Sequence, residues 1–154
     1  MMPEKSVYGN WPRSGEIDIV ETINEKSDEL VTTIHYGHDY HRQISKTTFL
    51  NQLTKLSNPI DHNKISLIWE DKYFEWLLND QLVFKVNFNE VENLEPNPFL
   101  EEFYLLINVA VGGNWPGTPN STMYCNSRKS CPDVKKLIVD YIAYYEKILS
   151  LIHI

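Results

Sequence analysis

Residues 15–24 read Gly15-Glu16-Ile17-Asp18-Ile19-Val20-Glu21-Thr22-Ile23-Asn24, and this stretch decides the fold. It is dense in β-branched side chains, which favour a pleated, half-buried surface, so it predicts a strand, central in its sheet over 16–23. On a regular strand Glu16 and Asp18 share a face while Glu21 falls on the other. A one-residue bulge near Ile19-Val20 makes two residues count as one and returns Glu21 to the face of the other acids. Three carboxylates on one face repel and raise one another's pKa, a cost that structure alone does not repay. Acid–base chemistry with two carboxylates requires that arrangement: one ionised to attack, the other holding a proton. Scattered surface acids are the bland alternative in a chain with 21 of them.

Working outward, further strands are expected at Leu30 to Tyr36 and in KISLIWE, YFEWLLN and QLVFKVNF, from Lys64 to Phe88. Glu70-Asp71 and Asn79-Asp80 supply turn chemistry between the last three. Residues 38–63 read as a long polar connection, with TTFLNQL a short strand or helical turn. The apolar run EFYLLINVAV (102–111) ends in Gly-Gly and reads as a strand. VKKLIVDYIAYYEK (134–147) is a last strand candidate, with helix left open. Short strands with turn punctuation point to an all-β sandwich or jelly roll. The length of 154 residues suits one domain with a real core.

A net charge of −7 argues against nucleic acid and anionic membrane as partners. No run of 18 apolar residues is present to form a spanning helix, and the N-terminus has no apolar stretch of signal-peptide type. The aromatic share of 12%, with four Trp and nine Tyr, fits a core, a sugar-stacking groove, or both. Cys125 and Cys131 leave a surface disulfide and two free thiols both open, and two thiols alone make no zinc site. Asn120-Ser121-Thr122 is a glycosylation sequon. His35, His38 and His41, at a spacing of three on a polar segment, read as solvated rather than as a metal site.

WPRSGEIDIVE (11–21) resembles the active-site strand of glycoside hydrolase family 16, laminarinase type, with its pattern WPxxGEIDIxE. FYLLINVAVGGNWPGTPN, HYGH, the hairpin from Lys64 to Val86 and LIVDYIAYYEK are similar to further segments of that family, in the same order. The resemblance implies an all-β, concanavalin-like β-jelly-roll sandwich, here incomplete with N-terminal strands missing, since MMP is similar to the end of a family segment. Residues 1–147 would be the partial family domain and 148–154 a tail outside it.

The resemblance also implies retaining hydrolysis of a β-1,3-linked glucan. Glu16 would be the nucleophile, Glu21 the general acid and then base, and Asp18 the residue that tunes the nucleophile. Trp11, His35, Asn114 and Trp115 would bind substrate, with Trp11 and Trp115 bordering the groove. A non-catalytic β-glucan-recognition protein on the same fold, and an inactive truncated fragment of the enzyme, are the alternatives. No cofactor is implied beyond a structural calcium, for which Asp140 is the candidate ligand. The partner would be a β-glucan polysaccharide or oligosaccharide, the complete protein a monomer, and the setting extracellular. The spacing E-x-D-x-x-E, rather than E-x-D-x-E, is similar to laminarinase-type members.

Overall fold

The structure is a computed structural model, and it describes residues 1–23, 26–50, 63–118 and 137–146. The chain divides into two compact units, Met1–Asn108 and Val109–Ile154. The first unit holds β1 (Met2–Pro3), β2 (Glu16–Ile23), β3 (Lys26–Tyr36), β4 (Arg42–Phe49), β5 (Ile65–Glu70), β6 (Tyr73–Leu78), β7 (Gln81–Asn87) and β8 (Phe103–Tyr104). Short 3-10 turns lie at Phe88–Glu90 and Pro98–Leu100. All strand pairings are antiparallel: β2-β3-β4 form one sheet, β5-β6-β7 a second, and β1-β8 a short third.

Period-two alternation explains how the two larger sheets meet. Along β6, Phe74, Trp76 and Leu78 are buried while Tyr73, Glu75 and Leu77 are less so. Ile17 of β2 and Ile34 of β3 are register partners and are fully buried. They join Phe74, Trp76, Val86, Phe88, Leu94 and Phe99 in one apolar cluster, so the two sheets share a core. Phe74 sits at its centre, edge-on to Trp69, Trp76, Phe88 and Phe99 with ring centroids 4.9–5.6 Å apart. Edge-to-face pairs of this kind add about 0.5–1.5 kcal/mol each beyond their buried area.

Several sequence expectations need correction. Residues 42–46 are not part of a connection: with Thr47–Phe49, the start of the segment read as a short strand or helical turn, they form β4, paired with β3 along its whole length. Thr48 is its one buried residue, Ile44, Thr47 and Phe49 are half-buried, and Gln43, Ser45 and Lys46 are exposed, so the sequence carries almost no strand period. The β5–β6 turn is Asp71-Lys72, one residue later than expected, since Glu70 pairs with Tyr73. Asn79 and Asp80 do form the β6–β7 turn, both with positive φ (49° and 67°), as a two-residue turn matched to strand twist requires.

The run 102–111 is a strand only at Phe103–Tyr104, against Met2–Pro3. Residues 105–111 are irregular, and Leu105, Leu106 and Ile107 are about half exposed. An apolar run becomes a strand only where a partner takes up its backbone groups, and the described residues offer β8 no more than the two residues of β1. Residues 137–146 are likewise irregular. β2 is not central among the described strands: it pairs with β3 on one side, and on the other Ile17 donates its N–H to the Met1 carbonyl at 3.0 Å. Cys125, Cys131, the sequon at Asn120 and the tail 148–154 lie outside the described residues.

Gly15 fixes how β2 leaves the core. Its φ is +81°, and a Cβ there would sit 3.1–3.2 Å from Phe99, Phe103 and Pro98. Only glycine combines that backbone with so close an approach. Gly15→Ala is expected to destabilise the fold by about 2 kcal/mol or more, measurable as a lowered urea midpoint.

Candidate active site

The pairing of β2 with β3 shows how three acids reach one face. Glu16 lies opposite His35, Ile17 opposite Ile34 and Asp18 opposite Thr33, but Glu21 lies opposite Val31. Three steps on β2 therefore match two on β3, which is a one-residue bulge across Ile19-Val20. His35, Thr33 and Val31 are two apart on a regular strand and share a face, so their partners Glu16, Asp18 and Glu21 share it too. β4 extends the same face with Gln43, Ser45 and Thr47, the partners of His35, Thr33 and Val31. Thr33 and Ser45 hydroxyls are 2.7 Å apart. Ile17 and Ile34 take the opposite face into the core.

The acids are tied into a network rather than left to repel freely. His35 Nε2 lies 3.1 Å from Asp18 Oδ2, with both side chains mostly buried. This bond, strengthened by the nearby acids and opposed by burial, pushes the His35 pKa up. Trp11 Nε1–H donates to Glu16 Oε2 at 2.6 Å. Glu21 is pushed above the usual carboxyl range, first by burial and then by the Asp18 carboxylate, with His35 opposing. Glu21 is thereby held towards its protonated form.

Trp11 is 51% exposed, so one side of its indole remains open to a ligand. Its loop is pinned by the buried Ser14, whose hydroxyl donates to the Gly9 carbonyl (2.7 Å) and accepts from Tyr8 N–H (3.1 Å). His41 is the residue that sequence reasoning missed. It is exposed, but it is not without partners: its Nε2 lies 2.8 Å from His35 Nδ1, and its ring lies 4.7 Å from that of Trp11. The spacing HYGHDYH held the signal, but only the turn at Gly37 folds His41 back beside His35. His38 is exposed.

Five sequence-derived site residues thus come together: Trp11, Glu16, Asp18, Glu21 and His35. Asn114 and Trp115 belong to the second unit, where they lie in a turn closed by a Gly113–Gly117 bridge. Glu16, Asp18 and His35 offer donor atoms within 4.8 Å of one another, and Glu16 Oε2, Asp18 Oδ2 and His35 Nε2 are engaged in the hydrogen bonds described. Asp140 is exposed, and among the described residues no cluster of three His, Cys, Asp or Glu donors includes it.

No protein-family model matches the chain. It is 32% identical over 165 residues to glucan endo-1,3-beta-glucosidase A1 of Niallia circulans, covering 96% of this chain and 21% of that protein. It is 34% identical over 122 residues to a glucan endo-1,3-beta-glucosidase of Cryptopygus antarcticus, covering 76% of this chain and 45% of the relative. The fold is similar to the laminarinase catalytic domain of Thermotoga maritima, with TM-score 0.63 and 29% identity over 74% of this chain and 46% of that one. The chain is a laminarinase-type relative of glycoside hydrolase family 16. It spans less than half the length of these three relatives.

The raised Glu21 pKa carries a stability consequence with a definite sign. A carboxyl whose pKa is higher in the fold than in the unfolded chain costs stability as pH rises through that folded value. Glu21→Gln removes this cost. The variant should melt above the wild type at pH 7, with the gap closing near pH 3, where both states of the wild type are protonated. Thermal melts at the two pH values check this.

Proposed function

We propose that the chain carries the catalytic acids of a retaining endo-glycosidase acting on β-1,3-linked glucan. The observation that carries this reading is the bulged register, which gives Glu16, Asp18 and Glu21 one common face. The names of the relatives support the choice of glucan and of linkage. The action of such an enzyme on an extracellular polysaccharide goes with an extracellular setting.

In the proposed first step, Glu16 attacks the anomeric carbon and forms a glycosyl ester while Glu21 gives its proton to the departing glycosidic oxygen. Oε2 of Glu16 is engaged by the Trp11 indole, so Oε1 is the oxygen left to attack. In the second step Glu21, now ionised, takes a proton from water as that water displaces Glu16 from the anomeric carbon. The configuration is inverted twice and so retained. Asp18 stands between the two: its negative charge raises Glu21, and its bond to His35 fixes its own orientation. The indole of Trp11, half exposed beside Glu16, offers a flat apolar face to a sugar ring.

The test is release of reducing sugar from laminarin by the full chain. Glu16→Gln and Glu21→Gln should each cut turnover about a thousand-fold, because each acid acts in a step that the other cannot perform. Asp18→Asn should cost less. Wild-type turnover should fall as pH rises past the raised Glu21 value, since the leaving oxygen then lacks its proton donor. Unchanged turnover in Glu16→Gln would remove the assignment.

A further inference from the structure

The hydrogen bonds and ring contacts around the acids close into a circuit that the two-step reaction does not by itself require. Glu16 is bonded to Trp11, the Trp11 ring packs against His41, His41 is bonded to His35, and His35 is bonded to Asp18. His41 touches the supports of both acids, Trp11 and His35, whose rings also meet each other directly at 5.8 Å between centroids. Its ring also stacks on that of His35, at 5.1 Å and 27° between planes.

The position of His41 is built rather than incidental. It ends the turn 37–41 between β3 and β4, and Gly37 opens that turn at φ +121°. A Cβ at Gly37 would overlap the Tyr40 carbonyl oxygen, so the turn is as tight as the chain permits. His35 sits at the end of β3 and Arg42 begins β4, so the turn brings His41 over the open face on which the acids lie.

We propose that His41 is a positioning residue for the acid cluster: its Nε2 holds the outer nitrogen of His35, its ring holds the indole of Trp11, and one side chain thereby orients the partner of Asp18 and the partner of Glu16. Its effect on turnover rests on the glycosidase reading above, whereas the circuit itself does not. The hydrogen bond works in either proton state. When His35 is charged, it donates Nε2–H to Asp18 and Nδ1–H to His41. When His35 is neutral, it keeps Nε2–H on Asp18 and accepts from His41 Nε2–H. The circuit therefore keeps the acids oriented on both sides of the His35 titration: as the Nδ1 proton of His35 passes to His41 Nε2, His41 Nδ1 releases its own proton to solvent. The other charged groups facing His35 are Glu16 and Glu21 of β2, and the Met1 amino group reaches the same carboxylates.

His41 is exposed, so replacing it removes no core packing. Two variants separate its two contacts. His41→Phe keeps a ring against Trp11 and loses the bond to His35. His41→Gln keeps an acceptor for His35 and loses the ring. The experiment follows the imidazole 15N signals of His35 across pH in the full chain, alongside laminarin kinetics.

In His41→Phe the His35 protonation midpoint should fall, because the charged form loses an acceptor that bonds it more strongly than the neutral form. In the same variant kcat should drop about ten-fold, as expected when a reacting group is misplaced by a fraction of an ångström. His41→Gln should restore the midpoint and kcat while raising KM, because the Trp11 indole is no longer held. A His35 midpoint in His41→Phe equal to that of the wild type overturns the proposal, whether or not the chain turns over laminarin. So does an equal loss in both variants with no split between kcat and KM. If the wild type fails to hydrolyse laminarin while the His35 midpoint still moves in His41→Phe, the glycosidase reading falls and the circuit stands.

Discussion

Two residues of β2 against one of β3 is the constraint on which the rest of this site depends. Without the bulge across Ile19-Val20, a strand that buries Ile17 must send Glu21 towards the core side, where an acid would be stranded. With it, Ile17 stays fully buried against Ile34 while Glu16, Asp18 and Glu21 emerge together on the open face. Burying an isoleucine contributes about 2–3 kcal/mol, so the core side of the strand pins the register that the acid side uses. Gly15 sets the start of this register, since nothing larger fits between the strand and the rings of Phe99 and Phe103.

The acid face answers its own repulsion with directional bonds. One carboxylate is held by an indole N–H and the next by an imidazole, while the third, partly buried, is the one pushed towards its neutral form. Three like charges on one strand thus become three different groups. The environment, rather than the residue type, separates the group suited to attack from the group suited to give a proton.

Much of this was legible in the sequence for a physical reason. A strand period of two is rigid, so the spacing E-x-D-x-x-E can place its outer acids on one face only through an extra residue, and the bulge follows from counting. The Asn79-Asp80 turn was legible because few residues adopt positive φ in succession. β4 was not, since a strand with one open polar face and a Lys at its middle shows no apolar alternation. The strand expected over 102–111 failed for the opposite reason: hydrophobicity is a property of the segment, but pairing is a property of its neighbours. His41 was invisible because its contacts depend on a turn whose shape is set by a close approach at Gly37, which no spacing rule records.

The central claim is that Glu16 is the acid that bonds covalently to sugar. The most direct test is to incubate the full chain with a 2-deoxy-2-fluoro glucosyl donor bearing an activated leaving group, which slows release of the ester, and to map the added mass by peptide sequencing. The account predicts one glycosyl group per chain, on Glu16, within the peptide that contains GEIDIVE. A label on Glu21 or Asp18, or no label from a chain that hydrolyses laminarin, would contradict it.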